Sequence, residues 1–285
     1  MSDRPMTGWR ASYPKSGNTW LRAMYSAWST REPPRLGDLQ GVPMAASRQA
    51  FDDALGIPSA DLTADEVDLL RPRADEAIEA EDGRAGNLRL RKVHDALFTG
   101  PAGEPVVSVA AARCAVYVVR DPRDVAVSLA HHTDRPLGYV VEYMASATAT
   151  VAAAVDRLEP QLRQRLGTWS EHVESWVDQD HVPALVVRYE DCLQDPVAIW
   201  SAVLDFAGLE VDHSRVSAAV AACSFARLQD QEKREGFHER TSPSSPFFRE
   251  GGAGGWRTVL PAELAAKIES DHRGVMERFG YLGSA

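Results

Sequence analysis

Cysteine is scarce in this chain, and what little there is lies scattered. Cys114, Cys192 and Cys223 are the only three in 285 residues. No C-x-x-C spacing joins them, so neither a disulfide framework nor a zinc site is indicated. No apolar run approaches the ~18 residues that a membrane-spanning helix needs, and no signal-peptide core opens the chain. These absences point to a reduced, cytoplasmic protein with no membrane partner. Positive charge is also short: 31 Lys and Arg stand against 41 Asp and Glu, a formal net charge of −10. That balance argues against a nucleic-acid partner gripped through its phosphates. An anionic small ligand would need a local basic pocket within an acidic surface. Repeats, low-complexity tracts and a dividing linker are missing too, so residues 1–285 read as one domain.

A G-x-x-x-x-G-K-[ST] phosphate loop is likewise absent, but another kind of loop is present. Tyr13-Pro14-Lys15-Ser16-Gly17-Asn18-Thr19-Trp20 follows a short strand, Trp9 to Ser12. It precedes Trp20, Leu21, Met24, Tyr25 and Trp28, which are spaced as one helix face. Strand, tight turn and helix leave free N–H groups at the helix start, beside Lys15, and make an anion cradle. An ordinary strand–helix turn is the plainer alternative.

The rest of the chain alternates strands with helices. Residues 31–60 look irregular. Thr63 to Glu66 forms a capping box that opens a short helix, which Pro72 interrupts before a second polar helix at Asp75 to Glu81. Leu88 to His94 alternates apolar and basic residues, as a strand with one buried face does. Ala115 to Val119 and Ala184 to Tyr189 are apolar runs of the buried parallel type. Asp121-Pro122 starts a helix, with Asp at the N-cap and Pro at N1. The pattern from 137 to 178 is mainly helical, residues 236–255 (with Pro243 and Pro246) are irregular, and Pro261 opens a final helix. The expectation is a parallel sheet covered on both faces.

Four stretches carry the chemistry: the opening loop, Val119 to Ser128, Arg188-Tyr189-Glu190-Asp191, and Phe248 to Arg257. In this order they resemble the cytosolic-type sulfotransferases, which move a sulfonate from 3′-phosphoadenosine 5′-phosphosulfate (PAPS) to an acceptor. The resemblance runs from about residue 9 to about residue 280. It implies an α/β, P-loop-like three-layer fold with a central parallel sheet and helices on both faces. It further implies that Lys15, Ser16, Gly17, Asn18 and Thr19 hold the 5′-phosphate and that Trp20, Tyr189 and Phe225 contact adenine. Arg120, Ser128, Arg249 and Gly251 match the 3′-phosphate positions. Arg91-Lys92-Val93-His94 resembles the family's K-T-H, which makes His94 the general base and puts Lys92 with Lys15 on the transferring group.

Several positions depart from the pattern. Asn18 replaces a second threonine, Glu250 a lysine, Gly255 an aspartate and Cys223 a threonine. Asp121 and Asp124 read as helix caps, although Asp121 also follows an apolar strand as a Walker B carboxylate would. His131-His132 diverge on a helix and read as solvated. The expected reaction is metal-free sulfonate transfer to a small-molecule hydroxyl, with adenosine 3′,5′-bisphosphate (PAP) leaving. The rivals are an ATP/Mg²⁺-dependent small-molecule kinase with Asp121 on the metal, and a non-catalytic nucleotide-binding protein. Neither the acceptor nor the oligomeric state is written in these motifs.

Overall fold

The computed structural model describes residues 5–41, 44–85, 88–100, 103–154, 156–241 and 246–283. Strand β1 (Thr7–Ser12) turns directly into helix α1 (Asn18–Thr30). Helices α2 (Arg48–Leu55) and α3 (Ala64–Ala85) precede β2 (Arg89–Val93), and β3 (Ala112–Val119) follows. Next come α4 (Pro122–Thr133), α5 (Leu137–Met144), the short antiparallel pair β4 (Thr150–Val151) and β5 (Gln164–Arg165), and α6 (Trp169–Val177). Strand β6 (Ala184–Arg188) leads into α7 (Tyr189–Gln194), α8 (Pro196–Phe206), α9 (His213–Ala222) and α10 (Phe225–Glu235). The chain closes with α11 (Trp256–Val259), α12 (Ala262–Asp271) and α13 (Arg273–Arg278).

The main sheet has the order β2-β1-β3-β6, parallel throughout. Side chains alternate across it. Trp9, Ala11, Ala115, Tyr117 and Val119 face one core with Val125, Val173, Trp176 and Ile268. Leu90, Cys114, Val116, Val118 and Val187 face the other with Leu21, Met24, Trp200 and Val216. Both faces are covered, which is why the strands read as nearly continuous apolar runs. Each buried aliphatic side chain is worth roughly 1.5–3 kcal/mol, so the two cores hold the sheet rigidly beneath whatever sits at its rim. Chain order reverses between β1 and β3, and the crevice at the carboxyl ends of such neighbours is where α/β sheets bind ligands.

The structure departs from the sequence expectations in four places. Residues 31–60 are not wholly irregular: Ser47 caps α2, and Phe51 packs against Val67 and Ala74. Pro72 does not interrupt α3, which runs 22 residues through it. On either side of the proline, Arg71 and Asp75 are fixed by ion pairs to Asp95 (2.6 Å) and Arg91 (2.9 Å), which offset the local cost of the ring. The stretch from 137 to 178 is helical only at its ends. Between them the backbone is tied elsewhere, Leu162 N to Ala46 O and Ala96 N to Arg165 O. Finally, β2 is buried on both faces, because Arg91 and Lys92 are only 1% and 8% exposed. Among the irregular residues 236–255, Pro243 lies outside the described residues.

Candidate active site

All four strands of the main sheet deliver a functional side chain at their carboxyl ends. His94 follows β2, the Tyr13–Gly17 turn follows β1, Arg120 follows β3 and Tyr189 follows β6. The topology therefore brings together, on one rim, residues up to 176 positions apart in the chain, a juxtaposition the motif order alone does not explain.

His94 is half-buried, and its surroundings leave no freedom in how it stands. Nδ1 lies 2.7 Å from the Ser12 carbonyl. A carbonyl only accepts, so Nδ1 carries the proton and Nε2 keeps its lone pair. No bond to Nε2 is seen among the described residues. Burial first, then Lys92, pushes the imidazole well below its ordinary range, so it is neutral at pH 7. Behind it, His172 Nε2 donates to the His94 carbonyl (3.0 Å), while the Tyr117 hydroxyl donates to His172 Nδ1 (2.9 Å). Asp95 is clasped by Arg71, and its carbonyl accepts from Trp176 Nε1 at 2.9 Å. Strand β3 and helices α3 and α6 thus fix the His94 ring from three sides.

The opening loop has the features of an anion site. Lys15 adopts a left-handed backbone (φ 68°), a strained state for a residue with a Cβ. Gly17 follows at φ 103°, where a Cβ would come within 2.6 Å of the Tyr189 ring. Among the described residues, no side chain caps α1 and the buried Ser16 Oγ finds no partner. Buried polar atoms are rarely left so, and an anionic ligand would satisfy this one. Lys15 Nζ sits 3.8 Å over the Phe247 ring. Burial lowers Lys15 to about 7, despite Glu239 acting the other way. Lys92 is lowered to about 8, again chiefly by burial. Asn18 turns its side chain inward: Oδ1 accepts from Arg10 Nε (2.8 Å) and Nδ2 donates to the Arg10 carbonyl (2.8 Å). Only its backbone faces the loop as a donor.

An aromatic slot flanks this loop. Trp20 is held by its indole N–H on the Cys223 carbonyl (2.9 Å), and meets Tyr189 edge-on at 6.1 Å. Phe225 packs so closely on Gly251 (φ 63°) that a Cβ there would lie 2.1 Å from the ring. Arg120 lies over Tyr189 at 4.4 Å and donates to the carbonyls of Lys15 and Gly252, each at 3.0 Å. It clasps the opening loop to the glycine-rich loop, and its Nε is buried without a partner. Ser128 and Arg249 line an open depression of about 310 Å³ together with Lys15, His132, Arg240 and Phe247. His131 is exposed, but His132 is half-buried and edge-on to Phe247 at 6.0 Å, so it is not simply solvated.

The sulfotransferase domain model matches residues 9–280 of the chain. The chain belongs to the sulfotransferase family. It is 26% identical to cytosolic sulfotransferase 17 of Arabidopsis thaliana, over 99% of this chain and 77% of the relative. Identity is also 26% to flavonol 3-sulfotransferase of Flaveria bidentis, over 91% and 78%. Among solved structures, retinol dehydratase in complex with retinol and PAP superimposes with a TM-score of 0.62 at 20% identity, over 97% and 82% of the two chains. Mouse sulfotransferase SULT7A1 complexed with PAP does so with 0.58 at 21%, over 97% and 84%.

Three acidic residues in this sulfotransferase have roles that the motifs did not foretell. Asp121 caps α4 as expected, accepting from Arg123 N at 3.0 Å, and its carboxylate is further committed to the Arg123 guanidinium at 2.7 Å. Asp124 is not a cap: it accepts from Gly254 N (2.6 Å) and Trp256 N (3.0 Å) and so anchors the glycine-rich loop. Glu250 is half-exposed and pairs with Arg249 at 2.8 Å, holding one of the cations that matched the family pattern. A fourth acid, Glu239, was missed altogether. It pairs with Arg22, approaches Lys92 Nζ at 3.7 Å, and accepts from Thr19 Oγ1 at 3.3 Å. Among the described residues, no group of three His, Cys, Asp or Glu is placed to hold a metal ion.

Proposed function

We propose that this sulfotransferase transfers a sulfonate from PAPS to the hydroxyl of a small molecule, with His94 as general base. The carrying observation is the tautomer of His94. Its N–H is spent on Ser12, and its open Nε2 stands on the same strand end as Lys92 and beside the Lys15 loop. In the reaction the acceptor oxygen bonds to sulfur as the bond from sulfur to the bridging oxygen breaks. The acceptor proton goes to His94 Nε2. The departing electron pair stays on the 5′-phosphate of PAP, where Lys15 and Lys92 neutralise it.

The donor would lie with its 5′-phosphate on the backbone of Ser16, Gly17, Asn18 and Thr19. Its adenine would sit among Trp20, Tyr189 and Phe225, and its 3′-phosphate at Arg120, Ser128, Arg249 and Gly251. The unpartnered Ser16 Oγ and Arg120 Nε support this fit. Both structural neighbours named above carry PAP, and one carries retinol. With the flavonol enzyme, they favour a small hydroxyl-bearing acceptor. Residues 1–285 would act as one domain, without nucleic-acid or membrane partners, in the reducing cytoplasm where the buried thiols of Cys114, Cys192 and Cys223 stay free.

The test is transfer from labelled PAPS to a panel of phenols, sterols and aliphatic alcohols, run with EDTA. The reading expects label in at least one acceptor under EDTA and none from γ-labelled ATP with Mg²⁺. Transfer from ATP alone, or activity that EDTA abolishes and Mg²⁺ restores, would replace it with phosphoryl transfer.

A further inference from the structure

Glu239 lies on the segment from Phe237 to Thr241, outside every motif, yet it reaches the centre of the site. Its carboxylate joins Thr19 from the opening loop, Lys92 from β2 and Arg22 from α1. Two of these three, Thr19 and Lys92, are the groups assigned above to the phosphosulfate end of the donor. Cations outnumber anions here. Arg10 is 1% exposed, with Nη1 lacking a partner, and it stands beside Lys92 in the β1–β2 register. Against the burial that pushes it up, Lys92 and Arg22 hold Glu239 down at about 2, so it is an anion at every working pH.

We propose that Glu239 is an internal stand-in for the donor's phosphosulfate group, seated on Thr19, Lys92 and Arg22 in the empty enzyme and displaced when the donor binds. This rests on the PAPS reading above. Two anions cannot share one set of cations at hydrogen-bond distance without strong repulsion. The chain that carries Glu239 is fixed on both sides of the residue to helix α10 and its aromatic neighbours. Gly236 ends α10 with φ 76°, and Phe247 and Phe248 donate their amides to Glu232 of that same helix (2.6 and 2.9 Å). Phe237 packs on both phenylalanine rings. The roots are apolar and fixed, while Glu239 is held by ion pairs that another anion can replace.

Among the described residues, the hydrogen bonds and ion pairs of Glu239 go to Thr19, Arg22, Lys92 and His238, and none goes to Arg120, Ser128 or Arg249. The nucleotide can therefore engage through its 3′-phosphate first, and the phosphosulfate then expels the carboxylate. After transfer, PAP has lost its sulfonate, and Glu239 competes only with the remaining 5′-phosphate. That competition weakens PAP binding without restoring the seat while PAP is bound, and so favours product release.

Calorimetry with PAP and with adenosine 3′-monophosphate, on the parent chain and on Glu239→Gln, tests this. The variant is expected to bind PAP about tenfold tighter, about 1.4 kcal/mol. Adenosine 3′-monophosphate, which carries nothing to the contested seat, should bind both proteins within about twofold. Equal or weaker PAP binding by Glu239→Gln overturns the proposal. A parent chain that binds no PAP overturns the donor reading itself, and this inference with it, which is a distinguishable result. Hydrogen exchange on the parent alone is the second measurement: amides 237–241 should exchange faster with PAP bound. Unchanged protection there overturns the displacement without recourse to any variant.

Discussion

The two ends of the site are built on different principles. Around His94, the groups that hold the ring are paired within the protein, Ser12 with Nδ1, His172 with the carbonyl, Tyr117 with His172 and Arg71 with the neighbouring Asp95, while Nε2 is left open among the described residues. These bonds are short, buried and mostly neutral, and they come from elements pinned in the cores. Around Lys15 the opposite holds. The backbone is strained, Ser16 and Arg120 keep unpartnered atoms, and the cations are lent to carboxylates of the same chain, Glu239 and Glu250. One end is held mainly by neutral bonds within the protein, and the other by cations engaged in internal ion pairs. A base must be aimed before the substrate arrives, whereas a donor cradle must accept and release charge in every cycle.

The strongest attempt to break this contrast is at the His94 end. His94→Ala should lower turnover by about 10²–10⁴-fold, the usual contribution of a general base, while PAP affinity measured by calorimetry stays near parental. A variant that transfers sulfonate at the parental rate would remove His94 from the chemistry.

At the Lys15 end, Arg120→Ala deletes the clasp over Tyr189. It should weaken PAP binding by ~2 kcal/mol or more, as for a lost charge-assisted contact, and adenosine 5′-monophosphate far less. Equal losses for the two nucleotides would move the 3′-phosphate away from Arg120.

The pH response sharpens the difference further, because Lys15 acts with opposite signs on folding and binding. Its folded value of about 7 lies below the ordinary 10.5, so between those values the unfolded chain binds more protons. This residue's contribution to stability therefore rises with pH across that window. Donor binding needs the protonated amine, so PAP affinity should fall as pH rises through about 7, by at most about tenfold per unit. Titration calorimetry from about pH 6 to about pH 9 reads this directly. A flat profile would show that Lys15 is not a donor contact.

Two smaller effects complete the series. Tyr117→Phe leaves His172 Nδ1 without its buried donor. It should cost about 1 kcal/mol of stability and reduce kcat several-fold, by loosening the His94 backbone, with PAP affinity unchanged. A fall in PAP affinity equal to that in kcat would mean that the two ends are not separate. Glu250→Gln frees Arg249 from a solvent-exposed pair, worth less than about 1 kcal/mol, and should tighten PAP by about two- to threefold. Weaker binding would show that Glu250 supports the loop instead of competing with the phosphate.

What the sequence made legible follows the same divide. The strand at 115–119, the Asp121-Pro122 helix start and the Thr63–Glu66 box are local signals, and each stands where it was expected. His94, Lys15, Arg120 and Tyr189 reach one rim because each follows a strand of the parallel sheet, whereas the 248–257 loop is tied there by Arg120 and Asp124. The stretch 145–168 was misread because its apolar residues satisfy a helical pattern, while its backbone pairs with distant segments at 46 and 96. Pro72 misled for the converse reason, since buried ion pairs override a local breaker. Glu239 could not be found by spacing. Its meaning lies in contacts with residues 217 and 220 positions away, and nothing in Phe237-His238-Glu239-Arg240 announces them.

The inward turn of Asn18 carries a consequence for how this chain can change. Arg10 sits in the middle strand region of the sheet with a charge to satisfy, and the Asn18 amide serves both its guanidinium and its carbonyl. A threonine at 18 has no second polar atom to reach both. A neutral residue at 10 would strand only the amide oxygen, since Nδ2 still donates to the backbone carbonyl of residue 10 and to Ser12 Oγ (3.2 Å). The two positions form a matched pair, because either single exchange strands one partner of the Arg10 Nε–Asn18 Oδ1 bond. Chimaeras with other family members should keep residues 10 and 18 from the same parent.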